Sequence, residues 1–202
     1  MTPAPIERDG GRAIRVAADV TSIAPETILT ERNMALIPAP RRSSPLTLVF
    51  AGGLVAGTFD IVYACVFWGV KAGVPVRRIL QSVAAGLLGK ASFEGGAATA
   101  ALGLGLHYFI ACSMAVAFYL VARRVPPLRE RPVPYGAAYG LLLYGIMNYI
   151  VVPLSAAGGG GAKDPLWVGL SVVVHMFLIG VPIALFVRSA LQEASTLQPA
   201  RG

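Results

Sequence analysis

Four long apolar runs dominate the pattern of this chain. They cover residues 46–70, 98–121, 135–156 and 166–187, and each is followed by charged or glycine-rich sequence. A transmembrane helix needs about 20 mainly apolar residues, and each run meets that length. The pattern therefore predicts an all-α, polytopic membrane protein with four transmembrane helices. Pro153 and Pro182 are predicted to kink or break the third and fourth spans.

Residues 74–90 form a fifth segment, whose uncharged stretch is too short to cross a bilayer. With helical spacing, apolar side chains share one face, namely Val76, Ile79, Leu80, Val83, Ala84 and Leu87. The other face carries Arg77, Arg78, Gln81 and Ser82. This arrangement predicts an amphipathic helix at the membrane interface, with a re-entrant segment as the alternative.

Three regions follow from these runs. Residues 1–45 are predicted to form a polar, largely irregular tail, residues 46–188 the transmembrane domain, and residues 189–202 a short C-terminal tail. Composition supports this division, because only 13% of the residues are charged against about a quarter in a soluble domain. The two cysteines, Cys65 and Cys112, are expected to be reduced, since their predicted depths differ by about 14 Å.

The net charge of +7 is interpreted as reflecting the orientation of the chain in the membrane and its contact with anionic lipid. No basic cluster alternates with aromatic residues, so no nucleic-acid partner is predicted. The predicted partners are the lipid bilayer and a homo-oligomer or membrane-complex partner. With the N-terminus inside, eight basic residues flank the spans on the cytoplasmic side: Arg32, Arg41, Arg42, Arg123, Arg124, Arg129, Arg131 and Arg188. Five lie outside, so both termini are predicted to be cytoplasmic.

The sequence also suggests an internal repeat. Gly57 and Asp60 have the same spacing as Gly145 and Asn148, and each pair precedes a His-x-Phe motif, at His107 and His175. Two helices per copy predict a 2+2 parallel repeat about an axis along the membrane normal. Chance similarity between apolar helices is the alternative. Six glycines are expected to permit close helix approach, namely Gly53, Gly57, Gly136, Gly140, Gly103 and Gly105.

Polar residues within the spans supply the candidate site. Asp60, His107, Asn148 and His175 each lie near the middle of one span, at similar predicted depth, and Tyr63 and Tyr144 extend this group. Ionisable residues inside a membrane are functional candidates, because a histidine titrates near neutral pH and a buried charge is costly. The alternative is structural, with hydrogen bonds between helices fixing the register of the bundle. For Asn148 alone the structural interpretation is favoured.

Two cofactor alternatives are weaker. Haem b bound between His107 and His175 would give an electron-transfer protein. The two histidines and Asp60 could also bind a metal such as zinc, but they lack the close spacing of a zinc motif. No nucleotide-binding loop, nucleophile elbow or zinc-protease motif is present, so no enzymatic activity, cofactor or metal is predicted.

Three segments carry a family resemblance: Arg78-Ile-Leu-Gln-Ser-Val-Ala-Ala-Gly-Leu-Leu-Gly89, Gly105-Leu-His107-Tyr-Phe-Ile-Ala and Val152-Pro153-Leu-Ser155. They resemble a family of small bacterial four-helix integral membrane proteins of unassigned function. The layout more distantly resembles the YagU-like inner-membrane proteins, which are of similar length and carry histidines in their spans. The resemblance implies a bacterial inner membrane and a link to acid tolerance, and it implies no catalytic residues.

These observations lead to one principal functional hypothesis and two alternatives. We expect a membrane protein that passes or senses a small solute or protons at a buried polar site. The second hypothesis is a non-catalytic scaffold or accessory subunit that binds a partner through its glycine faces and basic tail. The third is the haem-binding electron-transfer protein.

Overall fold

The computed structural model describes residues 44–158 and 164–196, and every regular element within them is helical. The helices are α1 (Pro45–Ala72), α2 (Val76–Leu88), α3 (Gly96–Ala122), α4 (Pro126–Glu130), α5 (Pro132–Leu154) and α6 (Pro165–Ser195). A 3-10 turn at Gly89–Phe93 connects α2 to α3. The all-α prediction is confirmed for this part of the chain.

Four of these helices, α1, α3, α5 and α6, are long and apolar enough to cross a membrane. The prediction of four helices of spanning length and composition is therefore confirmed for this part of the chain, and these helices fit a multi-pass membrane protein. Helix α6 continues to Ser195, whereas the predicted span ends at residue 187. The predicted C-terminal tail thus begins in helix, and its residues 197–202 lie outside the described part, as do residues 1–43 of the predicted N-terminal tail.

Local sequence explains where the spanning helices begin and end. Pro45 and Pro165 occupy first-turn positions, where the missing N–H removes no helical hydrogen bond. The Asp164 side chain accepts a hydrogen bond of 3.0 Å from the Trp167 backbone N–H and so caps α6. Helix α1 ends at Gly73, whose φ of 62° is left-handed and therefore suits glycine.

Pro182 does not break α6, whereas α5 ends one residue after Pro153. A π-helical turn precedes each proline, at Met147–Val151 in α5 and His175–Gly180 in α6. A proline cannot donate to the carbonyl four residues earlier, and its ring clashes with that carbonyl. Widening the preceding turn accommodates the ring while the helix continues. In α6 the predicted disturbance is therefore a wider turn rather than a break, whereas Pro153 lies in the last turn of α5.

Glycines permit close contact between the spans. A Cβ on Gly53 of α1 would lie 2.7 Å from the Cys112 Cα of α3, and one on Gly136 of α5 would lie 2.8 Å from the Gly180 carbonyl oxygen of α6. Helix α1 packs against both α3 and α6, and α5 packs against α6. The prediction for Gly105 is wrong, because a Cβ there would have no neighbour within 4 Å.

Most of the buried core lies towards the end of the bundle where α1 begins and α3 ends, which we call the closed end. The Phe118 ring of α3 lies 4.8 Å from the Tyr139 ring of α5, and the Tyr139 hydroxyl donates to the Met114 carbonyl at 2.8 Å. Other fully or nearly fully buried residues of this core are Val49, Ala115, Ala122, Ile183, Ala184, Val187 and Ala190. The spans therefore form a tightly packed apolar unit at this end.

Helix α2 lies across the first turns of α3. A Cβ on Gly103 would collide with the backbone at Leu80, so this glycine allows α2 to approach. The Gln81 side-chain amide donates to the Gly96 carbonyl at 3.0 Å and to the Thr99 hydroxyl at 3.2 Å. At the other end of α2, the Ala156 backbone N–H donates to the Gly86 carbonyl at 3.0 Å and connects α2 to the segment that follows α5.

The buried face of α2 differs from the predicted apolar face. Its buried residues are Ile79, Gln81, Ala84 and Ala85, whereas Val76 and Leu87 are exposed. Gln81 was assigned to the polar face, and that assignment is wrong because α3 provides hydrogen-bond acceptors where α2 crosses it. The interfacial location of α2 stays a prediction.

Candidate functional site

A cavity of about 320 Å³ lies towards the opposite end of the bundle, where α1 ends and α3 begins, which we call the cavity end. Side chains of α1, α2, α3 and α6 form its walls. The lining residues are Asp60, Ile61, Ala64, Trp68, Val74, Arg78, Ile79, Ser82, Val83, Phe93, His107 and Trp167. Two of the predicted site residues, Asp60 and His107, thus lie in one cavity.

His107 has a defined tautomer in its neutral form. Its Nε2 lies 2.8 Å from the Gly57 carbonyl oxygen of α1. A carbonyl oxygen only accepts hydrogen bonds, so Nε2 must carry the hydrogen and donate it. The other ring nitrogen, Nδ1, then holds the lone pair that takes up a proton. His107 therefore joins α3 to α1 and keeps one basic nitrogen.

Asp60 is half-buried and makes no hydrogen bond to any group in the described part of the chain. It lies about one helical turn from both Gly57 and Tyr63 on α1. A charged carboxylate within a span costs several kcal/mol unless water or another polar group solvates it. Asp60 must therefore be hydrated in the cavity or carry a proton.

Arg78 and Ser82 complete the polar lining of the cavity. Both belong to α2, four residues apart and thus on one helical face. The Arg78 guanidinium lies 4.7 Å from the centre of the Phe93 ring, a cation–π contact that holds it beside the cavity. The cavity consequently contains an acid, a base and a permanent cation.

Aromatic rings surround the cavity at the end of α1. The Trp167 ring stacks on Tyr63 with centroids 5.1 Å apart, and it lies 5.0 Å from Phe67 and 5.2 Å from Trp68. Clusters of tryptophan and tyrosine are typical of the boundary between hydrocarbon and headgroups. The mouth of the cavity is thus expected at this boundary, with Asp60 and His107 deeper in the bundle.

An ion pair lies beside the aromatic rings. Lys71 at the end of α1 donates to Asp164 at the start of α6, and its ammonium lies 5.4 Å from the centre of the Phe67 ring. The hydrogen bond from Lys71 holds the pKa of Asp164 below its ordinary value, and the hydrogen bond from the Trp167 backbone N–H contributes in the same direction. The pair therefore joins the ends of two spans at the cavity end.

The other predicted site residues form a second group around α5 and α6. The His175 Nδ1 donates to the Ser171 carbonyl at 2.8 Å, and the His175 ring meets the Tyr144 ring edge-on at 5.4 Å. The Asn148 amide donates to the Tyr144 carbonyl of its own helix at 3.0 Å. None of His175, Tyr144 and Asn148 lines the cavity.

Tyr63 lies between the two groups. Its hydroxyl is 3.2 Å from the Ser171 hydroxyl of α6, and Ser171 also provides the carbonyl that His175 binds. On α1, Tyr63 lies about one helical turn from Asp60. The six predicted residues thus form two neighbouring groups with Tyr63 between them, rather than one cluster.

Sequence reasoning missed the wall residues Arg78, Ser82, Trp68, Phe93 and Trp167. A signal existed for α2, because Arg78 and Ser82 share a helical face and Gly103 leaves room for a neighbouring backbone. The tryptophans and Phe93 carried no comparable signal, since aromatic residues near span ends are usual in any membrane protein.

The haem alternative stays a prediction. His107 donates through Nε2 to Gly57, and the cavity that it lines does not include His175. No group of three or more potential metal ligands occurs within the described residues.

Comparison with known proteins finds no relative: no protein-family model, no curated protein and no solved structure matches the chain. A functional proposal therefore has to rest on the geometry of the site itself.

Proposed function

We propose that this chain is a multi-pass membrane protein that admits a small polar solute or protons into the cavity and passes or senses them there. Asp60 and His107 are the groups that exchange a proton. The observation that carries the proposal is that an acid, a base and Arg78 line one cavity within a membrane-spanning bundle. Ionisable side chains in such a position most often belong to a solute or proton pathway.

The chemistry of the lining supports a cycle of protonation. Neutral His107 keeps its proton on Nε2 through the Gly57 carbonyl, so an arriving proton binds at Nδ1 or at the Asp60 carboxylate. A proton on either residue changes the charge of the cavity by one unit while Arg78 stays cationic. The affinity of the cavity for a charged solute would change with it.

A proton could leave the cavity through the second group. Tyr63 lies beside Asp60 and contacts the Ser171 hydroxyl, and His175 binds to the same residue of α6. Hydroxyl and imidazole groups in sequence can relay protons between helices. In this proposal the second group extends the cavity site towards α5.

The scaffold hypothesis receives less support. It relied on glycine faces as docking surfaces, yet Gly53, Gly57, Gly136 and Gly140 are buried against other helices of the same chain. The basic tail that it also invoked lies outside the described residues.

We propose the 2+2 parallel repeat in a revised register. Gly57 lies against Tyr108, the neighbour of His107, and Gly140 lies against the carbonyl of His175. Gly145, which the sequence paired with Gly57, has nothing near it. The repeat that we propose therefore aligns Gly53 and Gly57 with Gly136 and Gly140.

The proposed location is a bacterial inner membrane with cytoplasmic termini, so the cavity would open to the outer side.

Proton flux into liposomes tests the function. The full chain is reconstituted into liposomes that enclose a pH-sensitive dye, and a potassium diffusion potential drives protons into the liposomes. The Asp60→Asn and His107→Gln variants should each lower the flux about tenfold or more, because neither side chain can then exchange a proton. His175→Gln tests the proposed exit through the second group: it should also lower the flux, and a flux equal to that of wild type would restrict the proton pathway to the cavity residues.

Tryptophan fluorescence tests the sensing alternative in the same preparations. The chain has two tryptophans, and both line the cavity. Their emission should change with pH in the wild type and respond less in His107→Gln, because the glutamine side chain cannot take up a proton. A proton flux equal to that of protein-free liposomes, together with a tryptophan emission that does not change with pH, would contradict both permeation and sensing.

A further inference from the structure

A second cavity, of about 300 Å³, lies at the closed end, between α4 and the last turns of α6. It shares no lining residue with the cavity that contains Asp60. We call it the headgroup pocket, and its lining residues are Arg129, Glu130, Arg188, Leu191, Gln192 and Ser195.

The apolar core holds both walls of the headgroup pocket in place. On α4, Leu128 packs against the buried core, so the next two residues, Arg129 and Glu130, reach the pocket from a fixed position. On α6, Val187 and Ala190 are buried on either side of Arg188. The four α6 residues of the lining lie at spacings of three, four and seven from Arg188, and therefore on one helical face.

The position of Arg188 along α6 indicates the depth of the pocket. Residues 165–187 contain no Asp, Glu, Lys or Arg, and Arg188 is the first such residue after them. One turn deeper on the same face, Leu185 is 43% exposed. A charged rim directly beyond an apolar, exposed surface is the geometry of a membrane interface, where headgroup and acyl chain meet.

The charges of the pocket define the ligand. Neither Arg129 nor Arg188 takes part in an ion pair within the described part of the chain. Two guanidinium groups and the Glu130 carboxylate give the pocket a formal charge of +1, which complements the single negative charge of a phosphodiester. Arginine binds phosphate oxygens through two parallel N–H donors, and Glu130 can accept hydrogen bonds from headgroup hydroxyls.

We propose that the headgroup pocket binds the headgroup of a monoanionic phospholipid with hydroxyl donors, as phosphatidylglycerol has. Arg129 and Arg188 hold the phosphodiester, Glu130 accepts hydrogen bonds from the glycerol hydroxyls, and an acyl chain lies along Leu185. Basic pockets at the ends of transmembrane helices bind anionic headgroups in this way.

Native mass spectrometry of the full chain in a zwitterionic detergent tests the proposal. Phosphatidylglycerol and phosphatidylcholine are added separately, and the fraction of protein that retains one lipid is measured. Phosphatidylcholine lacks both the net negative charge and the donors. Wild type should retain phosphatidylglycerol with about tenfold higher affinity, and Arg188→Gln should remove most of that preference, as expected for the loss of one charge-assisted bidentate contact.

Two further comparisons make the result specific. Arg77→Gln removes another exposed arginine, from α2, and should leave the preference intact. Arg188→Lys keeps the charge but loses the two parallel N–H donors of the guanidinium, so it should retain part of the preference for phosphatidylglycerol. Equal retention of the two lipids, or equal losses in Arg188→Gln and Arg77→Gln, would overturn the proposal. So would competition by soluble glycerol phosphate as effective as by the lipid, because the ligand would then come from solution.

Discussion

The two ends of the bundle contain the same four spanning helices and differ in how they are filled. At the closed end, Val49, Ile183 and Val187 are at most 1% exposed, and Phe118 meets Tyr139 across α3 and α5. At the cavity end, α2 packs on α3, and a cavity remains that is lined by Asp60 and His107. One end is therefore filled by apolar side chains, whereas the other leaves a mainly apolar cavity into which a few polar side chains reach.

This difference indicates where each end obtains its stability. Lipid tails are as apolar as leucine, so helices in a bilayer associate through close packing rather than through removal of apolar surface from water. The closed end uses glycine and alanine to bring backbones together, as at Gly53 and Gly136. The cavity end relies on polar contacts such as Gln81 with Gly96. Added volume should therefore be costly wherever backbones meet, at Gly136 as at Gly103, whereas lost hydrogen bonds should matter most at the cavity end.

The largest effect is expected for Gly136→Val. Its Cβ would lie 2.8 Å from the Gly180 carbonyl oxygen and 2.9 Å from the Val181 Cα, so backbone atoms would have to move. The free energy of unfolding should fall by about 2 kcal/mol or more, as for overpacked interiors. Thermal unfolding in detergent, followed by circular dichroism, measures the change.

Gly145→Val is the matched control on the same helix. Nothing lies within 4 Å of the position of its Cβ, so it shares the change in helix propensity but not the clash. Similar losses in the two variants would show that propensity, rather than packing against α6, decides the stability of α5.

The sequence was sufficient for the spans because apolar length alone determines them. It also indicated Gly53 and Gly136 as contact positions, since small residues at a spacing of four line one helical face. It could not distinguish these from Gly105, which has no neighbour within 4 Å. Spacing shows that a helix has a small face but not whether another helix occupies it.

The candidate site was predicted only in part, for a related reason. Counting residues along the spans estimates depth, but it does not determine the direction in which a side chain points around the helix. Asp60 and His107 point towards one cavity, whereas His175 and Asn148 bond within α5 and α6. Gln81 shows the same limit, because its burial depends on acceptors from α3 that no pattern within α2 reveals.

An intermediate effect is expected for Gln81→Leu at the cavity end. The variant loses hydrogen bonds to Gly96 and Thr99, but the Gly96 carbonyl keeps the Thr99 hydroxyl as a donor. The cost should therefore be about 1 kcal/mol, nearer to an interhelical hydrogen bond in a membrane than to an orphaned buried group. Hydrogen exchange in α2 should accelerate, while exchange in α5 stays unchanged.

Ser82→Ala provides the comparison within α2. Ser82 is exposed and donates to the Ile79 carbonyl of its own helix, so its loss removes no contact with α3. If Ser82→Ala accelerates exchange in α2 as much as Gln81→Leu does, contacts with α3 do not hold α2 in place, and the assumed difference between the two ends disappears.

The smallest effect is expected for the Lys71–Asp164 pair, which is partly exposed and therefore weakened by solvent and salt. Because Lys71 lowers the pKa of Asp164 in the folded state, the stabilisation is fully present above the unfolded carboxylate pKa of about 3.9 and disappears as the pH falls through the lower folded value. Asp164→Asn retains the cap on Trp167 but loses the charge. Its thermal midpoint should lie below that of wild type near neutral pH and converge with it in acid. Lys71→Gln should reproduce this curve, and combining the two substitutions should add little, because both remove the same interaction. A difference from wild type that grows towards low pH would have the opposite sign and would mean that Asp164 stabilises the cavity end in its protonated form.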